Sequence, residues 1–574
     1  MFKIYQIFYR FLLRYKWQFV LFLSVSTLTS VAYSIQPYFY KLFIEAIPSN
    51  NFRVLLAILI GYIVVRILEM LFDNLTYFLG DLVVFPASRD ARMSVFKKIQ
   101  DLDFAYHTSK STGSIISIFK RGDNAFFDLN HVLHVRLLPI IVNFIIILVF
   151  FYKIDWQISL LIFISFVINA VLAKFLIKKN ILARKLYNKH EDRISSVIVD
   201  NLINFETVKF FAKEDWEYNR LQKRFQPWLK YLWQFANTFR LIDISVGTVG
   251  NLALFFILFL GLQKLSHFQL SAGDYIMIIG FISSFYPRFF ELIYELRNLA
   301  KHQVDIKKYF SVFAIDNLVK DPQIPVKKTK VKGLIEFKNL DFAYPENPKL
   351  ALKNINLVIK PGESIAFVGH SGTGKTTIIR LLMRFFDPTN GQISIDGIDI
   401  KKFTKSQLRS FMGIVPQEPV MFNNTIGYNI GYGDQNATQS DIQKAAKLAN
   451  LDEFIDSLPK KYETKVGERG VKLSGGQKQR LAIARMILSN PDIIIFDEAT
   501  SQLDSDSEKK IQQAFWKASK DKTTLIIAHR LSTITKADKI VVLKNGEIVE
   551  IGTHQQLTSN QESIYSHFWS LQTH

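Results

Sequence analysis

The sequence predicts a multidomain chain. An all-α transmembrane domain of six spans, with long cytoplasmic helical extensions, precedes an α/β domain. Three observations predict it. At 574 residues the chain is too long for one hydrophobic core. Hydrophobic residues reach 49% and the mean hydropathy is +0.13, yet the apolar runs crowd into the N-terminal half. Past residue 333 short β-type runs alternate with helical ones. The two halves therefore fold against different solvents. The expected limits are 1–320 for the membrane domain, 321–332 for a linker and 333–574 for the second domain.

Taken in order, residues 1–16 mix aromatic and aliphatic residues with Lys3, Arg10, Arg14 and Lys16 and no acid, the pattern of an amphipathic interfacial helix. A span needs about 20 mostly apolar residues. Six segments qualify: 17–42, 52–80, 132–151, 156–177, 241–262 and 272–292. Only Tyr152-Lys153-Ile154-Asp155 separates the third from the fourth, so these two form a tight hairpin. The connections 81–131 and 178–240 are long and basic, carrying Arg89, Arg92, Lys97, Lys120 and Arg121, then Lys178, Lys179, Arg184, Lys185 and Arg193. Lys and Arg accumulate on the cytoplasmic side, which puts these connections and both termini there. Segment 183–211 repeats apolar residues at helical spacing, so the helices are expected to continue past the bilayer.

Ionisable residues inside spans are costly and usually face a cavity. Arg66, Glu69 and Asp73 share one face of the second span, and Arg288, Glu291 and Glu295 repeat that spacing in the sixth. Arg66, Glu69, Arg288 and Glu291 are the candidate substrate path. A structural pairing of Arg66 with Glu69 is the competing reading.

Asp321-Pro322-Gln323-Ile324-Pro325 and the lysines after it mark the linker. The buried-strand run Ser364-Ile365-Ala366-Phe367-Val368 then leads into Gly369-His370-Ser371-Gly372-Thr373-Gly374-Lys375-Thr376, with Thr377 continuing into a helix. This is a complete P-loop in its proper context. Its glycines let backbone N–H groups cradle phosphate oxygens, Lys375 brings charge to the β- and γ-phosphates, and the Thr376 hydroxyl suits Mg²⁺. A second apolar strand, Ile493-Ile494-Ile495-Phe496, ends in Asp497-Glu498: Asp497 to hold Mg²⁺ through its waters, Glu498 to polarise the attacking water. ATP with Mg²⁺ is the expected pair of ligands. With no Cys, disulfides, thiolate metal sites and Cys nucleophiles are excluded. The formal net charge of +21 fits an anionic membrane face. A soluble ATPase working on nucleic acid is excluded by the spans.

Leu473-Ser474-Gly475-Gly476-Gln477, about a hundred residues after the P-loop and just before Asp497, resembles the ABC signature without mismatch. Six spans followed by this domain are similar to an ABC exporter half-transporter over essentially the whole chain. The resemblance implies further roles. Tyr344 stacks on adenine, Gln417 touches Mg²⁺ or the attacking water, and His529 bonds the γ-phosphate. Asp504 follows the second strand in a Ser501-Gln502-Leu503-Asp504 run whose Gln502 departs from the usual Ala. Ser474, Gly475, Gly476 and Gln477 clamp the nucleotide of the opposite subunit, so the chain is expected to act as a homodimer in a lipid bilayer. Val466-Gly467-Glu468-Arg469-Gly470 resembles a loop of exporters rather than importers. Segment 204–211 and, more loosely, 102–113 resemble mitochondrial-type exporters of glutathione and sulfur species, although the sixth span departs from that subgroup. Lipid A-type flippases, multidrug exporters and an importer of exporter shape stay open. No cleavable signal or transit extension is evident, and the expected location is a bacterial inner membrane.

Overall fold

A computed structural model describes all residues except 1, 111, 468, 469, 498–504, 529 and 574. It describes the backbone alone at 2, 3, 112, 285, 286, 289, 290, 293, 296, 297, 300, 301, 505–507, 532 and 573. Its contacts divide the chain into two compact units, Met1–Asp101 with Lys110–Ile315, and Leu102–Ser109 with Asp316–His574.

The first unit is all helix: α1 (Phe2–Leu12), α2 (Lys16–Ala46) and α3 (Phe52–Asp101), with α4 (Phe104–Ser109) left to the second unit. Then come α5 (Thr112–Asn130), a π-helical turn (His131–Leu137), α6 (Leu138–Ile154), α7 (Trp156–Ile203), α8 (Phe205–Phe210), α9 (Glu214–Ser266) and α10 (Ala272–Ser311). Among the described residues five helical stretches are long and apolar enough to cross a membrane, and they contain the first five predicted spans. The sixth predicted span lies in α10, whose described apolar stretch is Ala272–Ser284. The predicted hairpin is present. Asp155 ends α6 and caps α7, its Oδ1 accepting the N–H groups of Gln157 (2.9 Å) and Ile158 (3.1 Å) while Oδ2 pairs with Lys264. The capping box of Ser271 and Asp274 starts α10, and Lys41 anchors Asp274 at 2.7 Å.

Packing runs through two apolar clusters that α10 shares. One joins α1, α2, α3 and α5 around Phe22, Val83 and Phe126; the other joins α6, α7 and α9 around Phe151, Ile162 and Ile257. The N-terminal helix forms as expected, but protein covers its apolar face. Phe8 sits 4.9 Å from the ring of Phe126, and Phe11 stacks on Phe310. Both Phe8 and Phe11 are buried.

The second unit holds two sheets. The strands β1 (Ile335–Ala343), β2 (Leu350–Ile359), β4 (Asn390–Ile395) and β5 (Ile398–Asp399) make an antiparallel sheet in the order β2-β1-β4-β5. The six-stranded sheet, in the order β10-β9-β3-β8-β7-β6, uses β3 (Ser364–Val368), β6 (Met412–Val415), β7 (Ile493–Asp497), β8 (Thr523–Ile527), β9 (Lys539–Lys544) and β10 (Glu547–Gly552). It is parallel except for β10. Buried on both faces, its central strands read as unbroken apolar runs. The helices are α11 (Lys375–Leu382), α12 (Lys405–Ser410), α13 (Ile426–Gly431), α14 (Gln439–Leu448), α15 (Asp452–Asp456), α16 (Gly475–Ser489), α17 (Ser505–Ala518), α18 (His554–Ser559) and α19 (Ile564–Thr573).

Alternation along β3 sorts these helices. Ile365 and Phe367 point into a cluster with Ile378, Ile379, Leu381 and Leu382 of α11 and the antiparallel sheet. Ala366 and Val368 point the other way, into a cluster with Leu481, Ile483 and Met486 of α16 and residues of α14 and α17. So α11 and α16 lie on opposite faces of the main sheet.

The segment read as a linker is a fixed strap. Arg384 donates to the carbonyl of Lys320 (2.8 Å), Gln407 to that of Lys328 (2.7 Å), and Asp396 accepts the backbone N–H groups of Lys332, Gly333 and Leu334.

Candidate functional site

The P-loop follows β3 at the carboxyl end of the sheet. Its backbone leaves no room for a side chain at two of the motif's glycines. At Gly374 φ is +106°, and a Cβ would lie 2.5 Å from Leu352; at Gly369 it would collide with the carbonyl oxygen of Leu543. Lys375 opens α11 and is buried. Its ammonium donates to the carbonyls of Gly369 (2.7 Å) and His370 (3.0 Å), so the cation is held at the loop's own concavity. Thr376 and Thr377 stand in the first turn of α11. The Thr377 hydroxyl is 3.0 Å from that of Tyr344, which accepts from Arg380 at 3.2 Å. The Tyr344 ring is held edge-on by Phe342 and Phe386, with centroids 4.9 and 5.3 Å away. Ser371, Gly372 and Thr373 complete the loop, and the Thr373 hydroxyl donates to His370 (2.9 Å).

Strand register brings the second motif alongside. Phe367 of β3 and Asp497 of β7 are both level with Ile527 of β8, which lies between them. Two strand spacings put the backbones about 10 Å apart. Gln417 lies two residues beyond β6, whose Val415 is level with Phe496. Its side chain is exposed and its carbonyl accepts from Gln479 of α16 at 2.6 Å. The hydroxyl of Thr376, the carboxylate of Asp497 and the amide oxygen of Gln417 are hard oxygen donors of the kind Mg²⁺ takes. Glu498, Asp504 and His529 lie outside the described residues, as do Glu468, Arg469 and the Ser501-Gln502-Leu503 run. His529 is two positions beyond the end of β8.

Ser474 caps α16. Its hydroxyl accepts the N–H of Gln477 (3.3 Å), and the Gln477 side chain accepts that of Ser474 (2.9 Å). Ser474 and Gly475 are exposed while Gly476 is buried, so the helix presents its N-terminal field at an open surface. The structure groups Tyr344 and Gly369–Thr377 with Asp497 at the carboxyl end of the main sheet's strands. The signature helix belongs to the other face.

In the membrane unit the four candidate path residues do not form one set. Arg66 donates to Gln36 (3.2 Å) and Glu69 (3.3 Å), and Gln36 donates to Glu69 (2.7 Å). Arg66 lines a cavity of about 440 Å³ with Tyr33, Gln36, Tyr40 and Ser284. A separate cavity of about 120 Å³ is lined by Asp73, Arg288 and Glu291 with Ser26, Ser30 and Arg136. Arg136 pairs with Glu291 at 2.6 Å, and the Arg288 guanidinium lies 3.6 Å over the ring of Tyr33. Sequence reasoning missed Arg136, Gln36 and Tyr33. Arg136 carried a signal, an arginine inside an apolar run; the other two carried none.

A helical membrane unit followed by a P-loop unit with a signature helix of its own defines an ABC half-transporter. The ABC transporter family model matches residues 352–501 and that for the ABC transporter transmembrane region matches 19–287. The chain belongs to the ABC transporter family. It is 33% identical over 530 residues to the iron-sulfur clusters transporter ABCB7, mitochondrial, of Oryzias latipes, covering 92% of this chain and 71% of that one. It is 35% identical over 494 residues to heavy metal tolerance factor 1 of Caenorhabditis elegans. That match covers 84% of this chain and only 60% of the relative. A solved bacterial Atm1-family ABC exporter with ATP bound superposes with a TM-score of 0.88 at 31% identity, covering 98% of this chain and 99% of the other. The mitochondrial-type resemblance read from the sequence is consistent with these Atm1-type relatives.

Proposed function

We propose that the chain is one subunit of a homodimeric exporter that hydrolyses ATP to move a substrate across a membrane. The observation that carries this reading is the split of the nucleotide motifs over the main sheet. Lys375 and the P-loop sit with α11 on one side, and Ser474 caps α16 on the other. One chain therefore offers two half-sites, and two copies arranged head to tail complete both.

In such a dimer Tyr344 receives adenine and the backbone of Gly369–Thr376 takes the phosphates. Lys375 exchanges its loop carbonyls for phosphate oxygens. Thr376, Asp497 and Gln417 would hold Mg²⁺, which neutralises phosphate charge when bound. Glu498 polarises the attacking water and His529 bonds the γ-phosphate, while Ser474 and Gly476 of the second copy close the sandwich. Closure is favoured because the nucleotide touches both faces only when they meet, and hydrolysis releases it.

The substrate class we propose is a glutathione- or sulfur-containing species. The supports are the resemblance over 204–211 and the likeness to an iron-sulfur clusters transporter. Arg66, Glu69, Arg288 and Glu291, with Arg136, are the proposed path. The basic connections and the likeness to a bacterial exporter support a bacterial inner membrane with the nucleotide domain in the cytoplasm.

The test is ATP turnover by protein reconstituted in lipid nanodiscs. Lys375→Ala and Glu498→Gln should each lower it at least a hundredfold; turnover at the parent rate ends the proposal. Stimulation by glutathione conjugates, but not by lipids or drugs, is expected for the substrate class.

A further inference from the structure

The chain's last helix touches the nucleotide machinery at two points, neither of them a motif residue's known ligand contact. Helix α19 is anchored at its start. The Glu550 carboxylate on β10 accepts from the Ser563 hydroxyl (2.8 Å) and from the backbone N–H groups of Ile564 (2.7 Å) and Tyr565 (3.2 Å), an anion placed on the positive end of the helix. Tyr565 is fully buried, and its hydroxyl lies 2.8 Å from Nδ1 of His554. From this anchor the helix projects Phe568 and Gln572, four residues apart and so on one face.

Phe568 meets His370 edge to face, with ring centroids 4.9 Å apart and planes at 86°. His370 is the second residue of the P-loop, and its carbonyl accepts from both Lys375 (3.0 Å) and the Thr373 hydroxyl (2.9 Å). Gln572 accepts the backbone N–H of Leu531 at 2.8 Å, two residues past His529. One helix face thus bears on the peptide that holds the P-loop lysine and on Leu531, which follows His529 by two positions in the chain.

We propose that α19 is a positioning strut for the nucleotide site. Phe568 sets the P-loop and Gln572 sets the loop after β8, so ATP affinity and turnover depend on the docking of the last helix. Neither side chain touches nucleotide; both act through the residues they hold. The inference rests on the nucleotide-site reading of the P-loop, which Lys375→Ala tests separately.

The experiment measures kcat and KM for ATP, with Mg²⁺ present, on the full chain in nanodiscs, alongside its melting temperature. Phe568→Ala should raise KM about two- to tenfold with a smaller change in kcat, since an aromatic pair is worth up to about a decade in an equilibrium constant. Phe568→Tyr, which keeps the ring, should restore KM. Gln572→Ala should lower kcat more than it alters KM, and Gln572→Glu, which keeps the acceptor, should restore it. In the pair His370→Ala with Phe568→Ala, the double variant should be no worse than either single one. Parent values of both constants in Phe568→Ala and Gln572→Ala overturn the proposal, as do fully additive effects in the double variant. If Phe568→Ala fails to fold, His370→Ala reads the same contact from an exposed loop residue, and an unchanged KM there overturns it equally.

Discussion

Two six-residue helices, α4 and α8, interrupt the long helices of the membrane half, and their surroundings differ completely. Phe104 of α4 stacks on Phe385 at 4.6 Å and 15°, and meets Phe386 edge-on. Beside it Asp103 accepts the N–H groups of Leu318 and Val319 and lies 3.6 Å from Lys405. The turn is seated among residues of the nucleotide unit of its own chain. In α8, Phe205 is 58% exposed and Phe210 81%, with Phe211 at 70% just after it. The described ion pair there is the exposed one between Lys209 and Glu214. Clustered exposed aromatics mark an interaction surface. Of these two short helices, α4 is packed against aromatic residues of its own unit, while α8 exposes its phenylalanines.

The largest effect should come from the bare helix. Phe210→Asp is expected to cut ATP-dependent transport by reconstituted vesicles at least tenfold while the melting temperature of the single chain hardly moves, because that ring is exposed. Transport at the parent rate would strip the contrast of functional meaning. At the seated helix, Phe104→Ala should lower stability by about 2 kcal/mol, less than for a fully buried phenylalanine, read by denaturant titration of the nucleotide unit's fluorescence. Asp103→Asn should cost about 1 kcal/mol by the same measurement, since the amide oxygen still accepts but the charge facing Lys405 is gone.

The smallest effect is a pH limb on the strap that Asp103 helps to hold. Burial pushes the Asp396 carboxyl up, but the Lys328 ammonium at 2.7 Å and the N–H groups of Lys332 and Leu334 together bring it below the usual range. A carboxyl lowered by folding contributes its full stability above its unfolded value, about pH 4. That contribution is lost as pH falls through the folded value. Melting temperatures should therefore show an acid decline below about pH 4 that is shallower in Asp396→Asn.

Much of the candidate site is proposed from the sequence alone because its motifs are contiguous. A phosphate cradle is built from consecutive N–H groups, so Gly369 to Thr376 declare it without any partner. The helix cap at Ser474 and Gln477 is likewise a local hydrogen-bond cycle. The first five spans declared themselves by length and apolarity. Arg384 shows where legibility stops. Asp387, three residues on, is a local partner for this buried arginine, but nothing near it in the chain announces that it also ties Lys320 to Phe403.

By itself the sequence determined the order of the two domains, the first five spans, the P-loop, the signature and the strand that ends at Asp497. Each of these is written within a few residues or by a short periodicity. Only the tertiary structure decided that the P-loop and signature helices occupy opposite faces of one sheet, that Arg136 answers Glu291, that the Pro-rich segment is a strap and that α19 reaches His370. Those relations join residues far apart in the chain, and burial and hydrogen bonding select such partners only once the chain has packed.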